Sequence, residues 1–507
     1  MSLIRLGLAV TIVALCLPAA ASSAATLRPL STAEIRLDGA DAGDAAGFSV
    51  AGAGDVNGDG RMDVIVGARN ADRLIRTDGG VDTGAAYVIF GRPDPAVIDL
   101  KSLGNNGFAI YGTRKDDHAG TSVSGARDVN GDGLADVIVG APRNDAITRF
   151  NSGAAYVVFG KKDPAPVELD ALGSKGFVIH GAAATIMAGT AVSEARDVNA
   201  DGRADVAVGA PLAGNNGRAT SGSVFVVYGK ATTTAVDLNA LGTQGYRVDG
   251  TAAGDKLGAS VSAAGDVNKD GRTDVLVGAP EASPLGRTRA GAAFMVFSPQ
   301  FPGTIDTASA AFGSPTTGFR VFGATAEDRA GFSVAGFMEV NGDGIQDFGI
   351  GAALASPFGR VNAGIVYQLL GSPAPGTIDL SALGARGYSI SGAKGDQIGY
   401  SLSAPGDTTR DGRAELLAGA RTGDQGGNDH GSAYLLNSKK SLTPIDVKTL
   451  GTWGFRSDGV AMLDQAGQSV EGTGDVNGDG RPDFIVGASL ADNGGRNGSG
   501  SAYVMFG

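Results

Sequence analysis

Asp55-Val-Asn-Gly-Asp-Gly-Arg-Met-Asp63 decides the fold of this 507-residue chain, because the stretch recurs. Further copies begin at Asp128, Asp197, Asp266, Glu339, Asp407 and Asp475, so successive starts lie 68 to 73 residues apart. A period this regular along nearly the whole chain is the mark of a repeat architecture. Around each copy the same order returns. In the second repeat Gly107-Phe-Ala-Ile-Tyr-Gly112 precedes Gly120-Thr-Ser-Val-Ser124 and the acidic nonapeptide. Val137-Ile-Val-Gly-Ala-Pro142 and, after a polar loop, Gly153-Ala-Ala-Tyr-Val-Val-Phe-Gly160 then follow. These are four short strands per period, punctuated by glycine and without helical spacing.

Four strands repeated seven times predict an all-β, seven-bladed β-propeller of antiparallel blades. The chain ends fit a closed ring. Ser501-Ala-Tyr-Val-Met-Phe-Gly507 is a third strand with no fourth after it, whereas Ala33-Glu-Ile-Arg-Leu-Asp-Gly39 has the fourth-strand pattern. The N-terminal strand over Ile35–Asp38 is therefore expected to complete the last blade. An open stack would leave strand edges unpaired.

The repeats also carry Phe90-Gly91, Phe159-Gly160 and Phe506-Gly507 and, elsewhere, Gly140-Ala-Pro142, Gly209-Ala-Pro211 and Gly278-Ala-Pro280. With the acidic loops, this resembles the FG-GAP repeats of integrin α-subunit head domains and their bacterial relatives. The resemblance covers roughly residues 33–507. It implies calcium in the hairpin between strands one and two of each blade, with the hairpins on one rim. Arg69, Ala353, Arg421 and Ser489 stand where the proline belongs in the other four repeats, and there is no stalk or inserted domain.

The loop chemistry points the same way. Calcium takes six to eight oxygens, and Asp55, Asn57, Asp59 and Asp63 supply side-chain oxygens at alternating positions, with the Arg61 carbonyl as a further donor. Gly58 and Gly60 let the backbone bend. An EF-hand needs a glutamate at position twelve, but Val66 is there, inside a strand. Four further loops match fully. These are Asp128, Asn130, Asp132, Leu134 (carbonyl) and Asp136; Asp197, Asn199, Asp201, Arg203 (carbonyl) and Asp205; Asp266, Asn268, Asp270, Arg272 (carbonyl) and Asp274; and Asp475, Asn477, Asp479, Arg481 (carbonyl) and Asp483. The fifth loop begins with the longer Glu339, followed by Asn341, Asp343, Ile345 (carbonyl) and Asp347. The sixth is the most degenerate, with Asp407, Thr409, Asp411, Arg413 (carbonyl) and Glu415. Ca2+ is thus expected at five loops and at up to seven.

Charge supports cations rather than a basic partner. The loops hold 21 of the 53 carboxylates, and the 32 others face 41 Lys and Arg, so the formal −12 resides in the loops. Seven calcium ions would bring the chain to near neutrality. Arg5, an apolar run over residues 6–17 and small residues around Ala21 to Ala25 read as a signal peptide over 1–25, leaving one propeller domain over 26–507. The only cysteine, Cys16, lies inside that signal, so no disulfide staples the mature protein. A secreted protein, extracellular or periplasmic, without a membrane span and monomeric, is expected.

On the face opposite the acidic hairpins, Arg149, Arg218, Arg287, Arg360 and Arg496 each lie four residues before the glycine opening strand three. They are candidates for an anionic ligand or, alternatively, a scaffold element paired with loop acids. Asp44, Asp117, Asp255, Asp328, Asp396 and Asp464, each three residues before a glycine, are their potential partners or simple turn formers. Nothing in the sequence marks a catalytic centre: there is no nucleophile elbow and no phosphate loop, and His118, His180 and His430 fall at unrelated repeat positions. The expected function is non-enzymatic adhesion or ligand binding, to an extracellular protein or polysaccharide. A calcium-bearing polysaccharide lyase and a lectin with sites between blades are the alternatives. An exported, net-acidic chain without basic runs does not suit nucleic acid.

Overall fold

The computed structural model describes residues 26–73, 80–145, 148–372, 376–423 and 429–507. The expected signal over 1–25 and Cys16 lie outside them. The described chain forms seven sheets, and the first strands of all seven line one central channel.

Blade one shows the pattern. Its strands Ala46–Gly54, Asp63–Ala68, Ala85–Ile89 and Gly107–Tyr111 form an antiparallel meander from the channel outward. The second strand, Asp63-Val-Ile-Val-Gly-Ala68, is buried along its whole length. That burial on both faces is why it reads as a continuous apolar run rather than an alternating one. The acidic nonapeptide is the hairpin between first and second strands. Tyr87, Tyr156, Tyr367, Tyr434 and Tyr503, which share one position in the third strand, are all buried.

One feature exceeds the four-strand expectation. The chain leaving the third strand of each blade reaches back and lays a short parallel strand on the outer edge of the blade before it. Val167–Glu168, from blade two, pairs with Ile110 and Tyr111 of blade one. The same edge is added in every blade, so each sheet has five strands and neighbouring blades are interlocked. These two- to four-residue segments lack the length and alternation that make a strand visible in sequence.

The N-terminal segment closes the ring as expected, at two places. Ile35–Asp38 pairs antiparallel with the last strand, Ile35 opposite Val504 and Asp38 opposite Ser501. Before it, Thr26–Leu27 supplies the parallel edge strand of blade six.

Glycine sets the spacing of the blades. A Cβ on Gly67 would sit 2.2 Å from the Gly120 carbonyl oxygen of the next blade. A Cβ on the second-strand glycines Gly140, Gly209, Gly278, Gly351, Gly419 or Gly487 would likewise lie 2.1 to 2.2 Å from the carbonyl oxygen of Gly189, Gly258, Gly331, Gly399, Gly467 or Gly47. The last of these pairs joins blade seven to blade one. Serines bridge the same seams: Ser49 Oγ donates to the Gly120 carbonyl at 2.9 Å and Ser469 Oγ to that of Gly47 at 2.9 Å. The Gly-Ala-Pro glycine is therefore a close-approach residue. G140A is expected to cost about 1–3 kcal/mol, the usual price of overpacking, whereas G303A, at a site with nothing within 4 Å, is expected to be neutral. Urea unfolding midpoints of the two variants check this.

Candidate functional site

The seven acidic hairpins share one architecture. In the first, Asp55 Oδ1 accepts from the amides of Gly58 (2.7 Å) and Asp59 (3.0 Å), and Oδ2 from that of Gly60 (2.9 Å). Asn57 Oδ1 accepts from the Asp59 amide, and Asp59 Oδ1 from the Arg61 amide. The amides of Leu134, Arg203, Arg272, Ile345, Arg413 and Arg481 repeat that last bond on Asp132, Asp201, Asp270, Asp343, Asp411 and Asp479. In the fifth loop the longer Glu339 reaches the amides of Gly342 and Gly344 at 2.6 Å. Gly58 and Gly60 adopt φ of +73° and +91°. Ala200, Lys269 and Arg410 hold the left-handed conformation at the position of Gly58 (φ +61°), so the loop imposes that turn even on residues it strains.

The ninth-position carboxylate is different in kind. Asp63 is fully buried; its Oδ2 accepts from the Val56 amide and its Oδ1 from the Gly91 amide, both at 2.8 Å. Asp136, Asp205, Asp274, Asp347 and Asp483 do the same, toward Gly160, Gly229, Ser298, Gly371 and Gly507. The Phe-Gly glycine and the last loop aspartate are thus one unit: the glycine supplies an amide to a carboxylate held in the blade. Burial raises Asp63, Asp136 and Asp205 to about 7 and Asp274 to about 8, with the loop's other acids adding repulsion. Asp347 and Asp483 are raised to about 6.

The sixth loop departs from this pattern. Glu415 Oε2 accepts from the amide and hydroxyl of Thr408. Asp407, Asp411 and Glu415 each offer an oxygen within 4.8 Å of the other two, the only such group of three acids among the described residues. The extra methylene of Glu415 brings together what the shorter aspartates hold apart. In the donor chemistry of all seven loops, hard carboxylate, amide and carbonyl oxygens with no nitrogen or sulfur ligand fit a calcium ion.

The arginine series on the opposite face is engaged within the scaffold. Arg149 pairs with Asp237 (2.8 Å), Arg218 with Asp306 (2.7 Å), Arg287 with Asp379 (2.7 Å), Arg360 with Asp446 (2.6 Å) and Arg496 with Asp99 (3.0 Å). Arg73 and Glu168 make a sixth such clasp at 2.6 Å. Each acid lies at the end of the parallel edge strand donated by the next blade, so every clasp ties a loop to the neighbouring blade. Asp44, Asp255, Asp396 and Asp464 instead accept amides of their own loops, from Asp41, Ala252, Ala393 and Ala461, and so serve as turn formers. The potential arginine–aspartate pairing of the sequence thus exists with a different set of acids. The edge-strand acids went unnoticed because their strands did.

The channel holds charges that the repeat pattern hides. It encloses about 840 Å³ and is walled mostly by Ser, Ala, Gly and Val. Glu194 in blade three is held by Arg127 (2.8 Å) and Arg196 (3.1 Å). Glu471 in blade seven takes the Ser403 hydroxyl at 2.5 Å, and burial pushes its carboxyl up to about 7. Two acids at positions that are otherwise Ser, Ala or Gly were the available signal.

With the geometry in hand, the class is a seven-bladed propeller with an acidic hairpin in each blade. The FG-GAP repeat model matches residues 46–89, 119–158, 188–227, 257–294 and 466–505, which are blades one to four and seven. Integrin alpha-PS5 of Drosophila melanogaster is 30% identical over 214 residues, 41% of this chain and 19% of that protein. Integrin alpha pat-2 of Caenorhabditis elegans is 28% identical over 251 residues, 48% of this chain and 18% of that protein. Phosphatidylinositol-glycan-specific phospholipase D of Rattus norvegicus is 36% identical over 108 residues, 21% of this chain and 13% of that protein. Each match thus spans less than a fifth of the relative's length. The chain is an FG-GAP, integrin-α-like β-propeller.

Two outcomes are expected. R360Q loses a two-pronged pair with Asp446 and should cost about 0.5–1 kcal/mol in equilibrium unfolding. Glu471 has a folded-state pKa above the ordinary 4.5, so the folded protein keeps this proton longer than the unfolded chain does. Its burial therefore costs nothing below that value, and the cost is complete above about 7. E471Q should raise the thermal midpoint relative to the parent at about pH 8 and leave it unchanged at about pH 4, as scanning calorimetry at the two pH values would show.

Proposed function

We propose that this is an extracellular, monomeric, calcium-binding propeller that binds a polysaccharide or protein ligand without chemically altering it. The observation that carries the calcium assignment is the recurrent buried ninth carboxylate. Six loops place a fully buried aspartate, in no ion pair among the described residues, beside two other acids. A divalent ion would neutralise that cluster and hold the hairpin to its blade, favouring the folded state. Asp55, Asn57, Asp59, Asp63 and the Arg61 carbonyl would hold it in blade one, with their counterparts in the other blades. Asp407, Asp411 and Glu415 support inclusion of the sixth loop.

The ligand-binding reading is supported by the integrin alpha relatives; among the described residues no helix is long and apolar enough to cross a membrane. Relatives named for phospholipase D keep an enzymatic comparison in view. The surface opposite the hairpins presents the loops between second and third strands, with Phe150, Leu285 and Phe358 exposed there. Loops on a rigid frame are where recognition concentrates.

Chelation of calcium should lower the thermal midpoint. Each occupied site contributes about 2.7 kcal/mol at a hundredfold excess over its Kd, and D475N should remove part of the gain. An unchanged midpoint on chelation would overturn the calcium assignment. Size-exclusion of the calcium-loaded protein with acidic and neutral polysaccharides tests the rest: co-elution with polymer of unchanged length is expected, and shortened polymer would establish an enzyme.

A further inference from the structure

The four repeats that lack the Gly-Ala-Pro proline are not equivalent. In blades one and six an arginine replaces it, and there the residue after the first-strand glycine is aromatic; blade five also has an aromatic at that position, Phe332, but Ala353 in place of the proline. Arg69 lies over the Phe48 ring at 3.8 Å, and Arg421 over the Tyr400 ring at 4.1 Å. In the three proline blades that partner position holds Thr121, Thr190 and Ala259. Arginine and aromatic ring thus come together within one chain, as a built pair.

Both pairs stand at the start of the innermost strand, and hence at the channel mouth farthest from the acidic hairpins. The Phe332 ring packs on Tyr400 at 4.9 Å between centroids and extends the aromatic wall. Arg421 Nη1 donates to the Tyr400 hydroxyl at 2.9 Å and its Nε to Gln397 at 3.0 Å. Arg143, beside Pro142, donates to His118 Nε2 at 3.1 Å, while His118 Nδ1 donates to the Arg69 carbonyl at 3.1 Å. Burial, and then the nearby Arg143, disfavour the charge on Arg69, while the Tyr400 oxygen and Asp82 favour it.

The partners of these cations set them apart. The six clasp arginines each hold a carboxylate. Arg69, Arg143 and Arg421 form no ion pair among the described residues; their contacts are rings, a phenol, an amide and an imidazole. Arg69 and Arg421 are half-buried and stacked on aromatic faces, whereas Arg143 is exposed; the guanidinium N–H groups not engaged by Tyr400, Gln397 or His118 are the donors that match a planar oxyanion.

We propose that the channel mouth formed by Arg69, Arg143 and Arg421 is an anion-binding site, and that its ligand is a carboxylate-bearing sugar. The inference rests on the ligand-binding reading and gives it a place and a chemistry. The stacked rings fix the guanidinium planes in advance, so the carboxylate meets preorganised donors. The sugar ring then lies over the exposed rim beside Phe332 and Tyr400. The five clasp arginines that the sequence offered for an anion already hold a carboxylate; among the described residues these three hold only neutral partners.

The experiment is calorimetric titration of the calcium-loaded full chain at fixed ionic strength. The probes are a galacturonate trisaccharide, a neutral maltotriose and inorganic sulfate. The galacturonate should bind and the maltotriose should not, with sulfate competing weakly. The double variant Arg69→Gln/Arg421→Gln should weaken galacturonate binding at least about tenfold, the loss of one to two charge-assisted contacts. The variant also gives up the ring stacking and the Arg421 hydrogen bonds, so its thermal midpoint should fall modestly, and a retained single cooperative unfolding transition separates loss of the site from loss of the fold. If galacturonate binds and the double variant binds it equally, the site is elsewhere and the inference fails while the ligand-binding reading stands. Binding of the neutral sugar in preference also overturns it. If no sugar binds, the inference fails as well, and the search for the propeller's ligand moves to proteins.

Discussion

The close approach of one blade's second strand to the carbonyl that opens the next blade is the constraint on which the rest depends. At seven places a backbone oxygen sits where a Cβ would be, about 2 Å from the position that atom would occupy. Only glycine allows the sheets to converge so tightly, and only that convergence lets seven twisted sheets meet around one axis. Everything outward follows from it. The serine bridges, the buried second strands and the channel walled by small side chains all exist because the inner strands are crowded.

Farther from the axis the sheets diverge, and a different device is needed. There the chain borrows a short edge strand from the following blade and clamps it with an arginine on its terminal acid. Inner seams are held by exclusion of side chains, outer seams by interlocking and charge. The acidic hairpin lies at one end of this wedge, fixed by the aspartate that reaches from the loop into the blade and takes the amide of the Phe-Gly glycine. A family motif that looks like three unrelated fragments is, in space, one seam glycine, one amide donor and the acid that receives it.

How much of this the sequence disclosed depends on whether a feature repeats. The period, the four strands of each meander, the closing strand over Ile35–Asp38 and the ligand-type residues of the hairpins all recur or complete a recurrence, and they were legible. The edge strands recur too, but at two to four residues each they carry no alternation to detect. The clasps were half legible: the arginines stand at a constant offset, whereas their acids sit on those invisible strands. The features that break the repeat, Glu194, Glu471 and the Arg69 and Arg421 pairs, could be seen as departures. Their shared location could not, because residues from blades one and six are neighbours only once the ring has closed.

Ring closure brings a consequence for assembly. Arg28, beside the edge strand it follows, donates to the carbonyl of Phe506, a contact spanning 478 positions. Until the last strand exists, Ile35–Asp38 has no antiparallel partner, and the growing arc exposes a free edge at each end. The logarithmic cost of bringing such distant ends together is small, yet the wait is long, and unpaired edges invite pairing with other chains. A protein built this way is most vulnerable to aggregation just before completion, and one short N-terminal segment, docking last and sealing two blades at once, ends that vulnerability.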